Sequence, residues 1–298
     1  MQKIAVIGGT GYLASLIKNQ DKNDSCKYTF FSRNKNSKNY INYLSSKKIN
    51  RLKNFNCIIH LAGPSQNELK KNKSLIIKKS LLTSKICDLC TSYNIKLIYI
   101  SSLQVYKDYG KKNLSINSKI HLTNPYSKSH YESEKIILSK FLNHKKKFII
   151  LRMGNVFGFK KYNNLGEIKK NIIHDLCILA LKKRKFLIKN GSIQRTFIPS
   201  QIFIKIVNHI IKNSYFNNSI ENIFYKNLSL HDIAKIIQKR FKFLFTTDIK
   251  VEIKKYKYKK KFKINQNQNF KFNIDYKKIY FEIDTILKYM KKIIRIKI

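Results

Sequence analysis

The sequence predicts an α/β fold, a doubly wound parallel sheet covered on both faces, and three observations predict it. Short apolar runs recur at 3–8, 26–31, 56–62, 95–101 and 147–153, separated by segments long enough for helices. The first run ends in Gly8, Gly9 and Gly11 directly before a helix-compatible stretch. Hydrophobic residues make up 43% of the 298 and are spread along the whole length, so the chain can bury a substantial core.

In order, KIAVIG (3–8) reads as a strand, 8–11 as a tight turn and 12 to about 19 as a helix. CKYTFF (26–31), NCIIHLA (56–62), IKLIYIS (95–101) and KFIILRM (147–153) are the following strands. After about residue 158 the spacing becomes irregular. LSLHDIAKIIQKRF (228–241) has an amphipathic helical period, with Ser229 as N-cap and Asp232 in the first turn. Residues 246–275 are Lys/Asn-rich and strand-like at best, and 275–294 read as helical. The expected division is a first domain over 1–158 and a smaller C-terminal α/β region over 159–298, with segments crossing back.

The glycine turn carries chemistry. Gly8-x-x-Gly11-x-x-Ala14 after a strand and before a helix is what a dinucleotide needs at a helix N-terminus. Gly8 permits the turn, Gly11 lets backbone approach a pyrophosphate, and Ala14 allows close packing of helix on strand. The bland alternative is a glycine-rich turn with no ligand. At the end of the second strand a carboxylate would hold the ribose 2′-hydroxyl of NAD, whereas Arg accommodates the 2′-phosphate of NADP. Here stand Phe31, Ser32 and Arg33, with no acid, which favours NADP over NAD.

The formal charge is +46, from 62 Lys plus Arg against 16 Asp plus Glu. Seven of the basic residues are Arg and 55 are Lys, scattered beside abundant Asn, Ile, Tyr and Phe. These residue types share A/T-rich codons, so compositional drift explains the bias. The rival reading is nonspecific polyanion binding, with Lys runs at 145–147 and 259–261 contacting phosphates. Five cysteines are too few for a disulfide scaffold, and Cys87-x-x-Cys90, with no second Cys or His pair nearby, reads as packing. The longest apolar stretches, such as FIIL (148–151), fall well short of the roughly 20 residues of a membrane span. The expectation is a cytoplasmic protein with no membrane span and no metal site.

Further along stand HLAG (60–63), YISSLQVY (99–106), NPYSKSHYESE (124–134), LRMGNVFG (151–158) and QRTFIP (194–199). With the glycine turn, these resemble in order and spacing the extended short-chain dehydrogenase/reductase family, the NAD(P)-dependent nucleotide-sugar epimerases, dehydratases and reductases. The resemblance covers about the first 200 residues and implies a Rossmann-type sheet and a nucleotide-sugar substrate. Gly8, Gly11, Tyr12, Leu13, Ser32, Arg33, His60 and Ala62 form the expected cofactor-binding set, and a homodimer fits the family. The resemblance implies that Ser102 hydrogen-bonds the reacting sugar oxygen and that Tyr126 is the acid/base. It assigns Asn155, Asn171 and Arg195 to the substrate, Arg195 at its diphosphate, while an alternative for Asn171 is an exposed helix residue.

Two departures matter. The family's Lys four residues after the Tyr is His130 here, the third expected catalytic residue. That Lys holds the nicotinamide ribose and depresses the Tyr pKa, whereas a largely neutral imidazole does less. Tyr131 and Lys135 offer a second Y-x-x-x-K register, but Pro125 and Glu134 fit Tyr126. The dehydratases' acidic pair after the active Ser/Thr is Leu103 and Gln104, which disfavours dehydration and leaves epimerase or 4-keto reductase. Two rivals stand beside that reading: a noncatalytic NADP-binding protein, and a basic nucleic-acid-associated member of the fold. His174, His209 and His231 have no partner pattern and read as surface or cap residues.

Overall fold

The computed structural model describes residues 1–19, 26–33, 49–144, 146–159, 171–257 and 262–295. Its strands are β1 (Gln2–Ile7), β2 (Cys26–Phe31), β3 (Cys57–His60), β4 (Lys96–Ser102), β5 (Phe148–Met153), β6 (Asn155–Phe157), β7 (Lys185–Ile188), β8 (Gln194–Pro199), β9 (Ser219–Ile223), β10 (Lys226–Ser229) and β11 (Lys250–Ile253). The α-helices are α1 (Tyr12–Asn19), α2 (Gln66–Lys71), α3 (Leu75–Tyr93), α4 (Pro125–Asn143), α5 (Ile172–Lys183), α6 (Ser200–Lys212), α7 (Leu230–Phe245) and α8 (Tyr276–Ile294).

Six strands pair in parallel in the order β2-β1-β3-β4-β5-β9. Successive strand residues face opposite ways, so the apolar runs feed two clusters. Ile4, Val6, Ile59, Ile98 and Ile149 pack on one face with Ala14 and Leu16 of α1 and Ile206 of α6. Ala5, Ile7, Ile58, Leu97 and Ile150 pack on the other with Ile86, Cys87 and Cys90 of α3 and Phe141 of α4. Cys87 and Cys90 are buried thiols, as the packing reading expects.

From β1 the chain steps to β2 on one side, then to β3 on the other. That reversal opens a crevice above β1, where such sheets bind ligands. Register aligns the carboxyl ends there: Ile7 pairs with both Phe31 and His60, and Ser102 with Met153.

Beyond residue 159 the chain returns to the main sheet. β9 covers the edge of β5, and Tyr28 Oη donates to Asn208 Oδ1 of α6 at 3.1 Å. Elsewhere β8 lies between parallel β6 and antiparallel β10, and β7 pairs with β11. α7 begins as its sequence requires, with a capping box: Asp232 N donates to Ser229 Oγ and Ser229 N to Asp232 Oδ2, both at 3.0 Å. α8 closes the chain over α5 and α7. Lys145 and Lys259–Lys261 of the basic runs lie outside the described residues.

His174 corrects an expectation, because it is buried and not a surface or cap residue. Its Nε2 lies 3.2 Å from Gly158 O, a carbonyl that can only accept, so Nε2 carries the proton. Its ring meets Tyr12 edge-on at 5.7 Å, and burial lowers its pKa to about 4.

Candidate active site

The turn after β1 shows why its residues are glycines. Gly8 has φ +96°, and a Cβ there would meet Ala62 N at 2.8 Å. Gly8 N and Gly9 N both donate to Phe31 O, which locks the turn against β2. A Cβ on Gly11 would come 3.0 Å from Gly8 O, the acceptor of Gly11 N. The turn brings the start of α1, Tyr12 to Ala14, to the crevice, and a helix N-terminus favours an anion. Gly11→Val should therefore abolish dinucleotide binding while leaving the far-UV circular dichroism nearly unchanged. Calorimetric titration checks this, and parental affinity in the variant would reduce the motif to a turn.

A cleft of about 750 Å³ runs from this turn across the sheet's carboxyl ends. Gly8, Gly11, Tyr12, Leu13, Ser32, Arg33 and Ala62 line it, and so do Ser102, Tyr126, His130, Asn155 and Asn171. His60 and Arg195 are not on the wall. His60 is fully buried beneath it, with Nε2 3.1 Å from Thr83 Oγ1 and its pKa lowered to about 3 by burial, then by Lys79. Arg195 sits behind Tyr109, 5.8 Å from that ring, and donates to Gln194 O at 2.9 Å. Tyr109, which does line the cleft, carries no sequence signal of its own.

Helix α4 presents the catalytic candidates. Asn124 caps it reciprocally with Ser127, and Pro125 fills the first turn, so Tyr126 enters at the helix start. Tyr126 and His130 lie one turn apart with ring centroids 4.6 Å apart. His130 Nδ1 lies 3.0 Å from Tyr99 Oη. Burial raises the Tyr126 pKa to about 12, and burial, then Lys79 and His60, hold His130 well below its ordinary value. His130 is thus a neutral imidazole. Ser102 ends β4, its Oγ accepting from Gln104 N at 3.2 Å. By contrast, Lys135 is exposed and pairs with Glu132 at 2.8 Å, and neither it nor Tyr131 lines the cleft.

Glu134 anchors α4 from below. Arg152 Nη2 donates to its Oε2 at 2.7 Å and Arg152 Nε to its Oε1 at 3.1 Å, while Ser101 Oγ also donates to Oε1. Arg152 Nη1 reaches Tyr106 Oη at 2.9 Å, which in turn donates to Asn222 Oδ1 of β9 at 2.7 Å. Both members of the ion pair are buried.

Asn155 Nδ2 donates to Thr196 O at 3.0 Å. Asn171 caps α5 through its Oδ1, which accepts from Ile173 N and His174 N at 3.1 Å, while its buried Nδ2 has no partner among the described residues. It is a cap residue and a cleft residue at once. Leu103 is wholly buried in a separate apolar cluster, and Gln104 lines the cleft. No carboxylate stands among the described lining residues, whereas Arg33, Lys78, Lys79 and Lys85 do. Sequence reasoning missed Lys79. Its signal was its spacing, because 79, 82, 83, 86 and 90 form the buried stripe of α3.

Comparison with known proteins adds the following. The model of the NAD dependent epimerase/dehydratase family matches residues 4–220. A dTDP-D-glucose 4,6-dehydratase of Dictyostelium discoideum is 29% identical over 197 residues, covering 54% of this chain and 45% of that protein. The chain thus matches somewhat less than half the length of that relative. Among solved structures, UDP-N-acetylglucosamine 4-epimerase from Bacillus cereus superposes with a TM-score of 0.77 at 20% identity, over 98% of this chain and 100% of that one. RMD from Pseudomonas aeruginosa, solved in complex with NADPH, gives 0.78 at 14% identity over 99% and 100%. At these identities the structures speak for the fold.

Proposed function

Because the chain belongs to the NAD dependent epimerase/dehydratase family, we propose that it is an epimerase or 4-keto reductase of a nucleotide-linked sugar that uses NADP(H). One observation carries the reading: Ser102, Tyr126 and His130 share a single cleft with the glycine turn. The cationic lining suits a substrate and cofactor that both carry diphosphates. Dehydration lacks its acids, since Leu103 points into an apolar cluster and Gln104 takes the place beside Ser102.

The residues fit a dinucleotide, given the space that Gly11 leaves open and the cationic end near Arg33. Gly8, Gly11, Ser32 and Arg33 would hold it, and when bound it supplies hydride exchange at the nicotinamide. Tyr126 Oη takes the proton of the sugar hydroxyl and returns it at the end of the cycle. Ser102 Oγ donates to that oxygen as it becomes a carbonyl. Asn155, and the unpartnered amide of Asn171, orient the substrate.

The test is to supply UDP-, dTDP- and GDP-linked hexoses with NADP(H) and follow absorbance at 340 nm together with proton NMR of the sugar. A reductase consumes NADPH in step with a 4-keto sugar; an epimerase inverts a centre with no net change. Absence of both, with no deuterium passing between cofactor and sugar, sinks the reading. A second reading, a dinucleotide-binding protein with little turnover, is favoured by the high Tyr126 pKa beside a neutral His130. Binding without deuterium exchange would select it.

Arg33 decides the cofactor. Its only ion pair among the described residues is with Glu68 at 3.7 Å, with both side chains well exposed, a contact too weak to hold it from a phosphate. NADP(H) should raise the melting temperature more than NAD(H) at equal concentration, and Arg33→Asp should reverse the order. Equal shifts in the parent would remove the assignment.

A further inference from the structure

The lysine that α4 lacks has a counterpart on the neighbouring helix. Lys79 of α3 is 4% exposed and lines the cleft with Tyr126 and His130. Its ammonium makes no hydrogen bond or ion pair to a described residue and stands 5.6 Å from the centroid of Tyr99. The hydroxyl of Tyr99 touches His130 Nδ1 at 3.0 Å, and His130 packs on Tyr126. Gly63 makes room for the lysine stem, since a Cβ there would come 3.2 Å from Lys79 Cε and 3.5 Å from Nζ. The lysine stem is buried while its ammonium opens onto the cleft, where a bound anion would complete it.

We propose that Lys79, reaching from α3, supplies the cation that the residue four positions after Tyr126 does not, holding the dinucleotide at the Tyr126 end of the cleft and favouring the Tyr126 phenolate. The proposal rests on the reading that this cleft takes a dinucleotide.

The surroundings of Lys79 say how it would behave. Around it stand His60 on β3, Tyr99 on β4, and His130 and Glu134 on α4, with Tyr126 of α4 and Lys78 and Lys85 of its own helix lining the same cleft. Glu134 is engaged by Arg152 of β5, so it is not the partner of Lys79. Burial lowers the Lys79 pKa to about 7, with Glu134 acting weakly in the opposite sense. A bound anionic dinucleotide favours the charged amine and raises that pKa again. Binding above pH 7 must then draw a proton from solvent, and binding well below pH 7 need not.

The test is calorimetry of NADP(H) binding in buffers of different ionisation enthalpy, on the parent, Lys79→Met, and Lys79→Met with His130→Lys. The parent should take up close to one proton per dinucleotide at pH 8, falling towards none at pH 5.5. Lys79→Met should bind about ten- to a hundredfold more weakly and lose that uptake. Its melting temperature without ligand should stay close to the parent's, because the ammonium makes no hydrogen bond or ion pair to a described residue; this separates the effect from misfolding. Returning a lysine to α4 in the double variant should recover most of the affinity, and should bring the alkaline rise of kcat/KM to lower pH than in Lys79→Met. A Lys79→Met variant with parental affinity, uptake and pH profile overturns the proposal while leaving the cleft a dinucleotide site. A parent that binds no dinucleotide overturns both.

Discussion

Tyr126→Phe should lower kcat by about 10²- to 10⁴-fold, the range a positioned acid/base contributes. The fold should not notice. The Tyr126 hydroxyl makes no hydrogen bond to a described residue, so removing it leaves no buried partner unsatisfied and the melting temperature should stay within about 1 °C. The pH profile adds a second check. With the free phenol pushed up to about 12 by burial, kcat/KM of the parent should climb through the alkaline range, because it reports the free enzyme's groups. The residual rate of the Phe variant should lack that limb. Full activity in Tyr126→Phe would move the search to Tyr131, although the structure turns Tyr131 away towards the cluster of Leu103 and Tyr106 and leaves Lys135 in solvent.

The second large effect is on stability. Glu134→Ala should destabilise the protein by about 3 to 5 kcal/mol, because it strands the Arg152 guanidinium inside the molecule. Against a total stability of about 5 to 15 kcal/mol, that is a large share. Urea unfolding should show a marked fall in midpoint, and Glu134→Ala with Arg152→Met should recover much of it, since the uncompensated charge is then gone. An unchanged midpoint in Glu134→Ala would mean that water replaces the carboxylate and that the pair is not sealed. Activity per folded molecule should also fall, because Glu134 ties the helix that carries Tyr126 to β4 through Ser101 and to β5 through Arg152.

Much of this was legible in the sequence because it is local. Five apolar runs became five strands of the parallel sheet; β1, β3, β4 and β5 feed both core faces and so lack the alternation of a one-sided sheet, while the edge strand β2 is only partly buried. Gly8 was readable because only a residue without a Cβ tolerates its φ and the approach of Ala62. Ser229 and Asp232 announce a helix start because capping is settled within four residues. The set Ser102, Tyr126 and His130 came from ordered motifs, and the cleft holds all three.

The tertiary structure alone decided what depends on chains distant in sequence. His174 was read as a surface or cap residue, yet α5 packs it onto Tyr12, some 160 positions earlier. His60 and Arg195 carry motif positions but stand behind the wall, one under Thr83 and one behind Tyr109. β9, from the irregular C-terminal part, joins the sheet beside β5, because an exposed parallel edge needs covering and proximity in space, not in sequence, supplies the cover. Lys79 shows the division most clearly. By itself the sequence showed that His130 stands where the resemblance implies a lysine after Tyr126, and its motifs offered no reason to single out Lys79. Only the packing of α3 against α4 set Lys79 beside His130, since the reach of a charge is measured in ångströms through the folded molecule and not in residues along the chain.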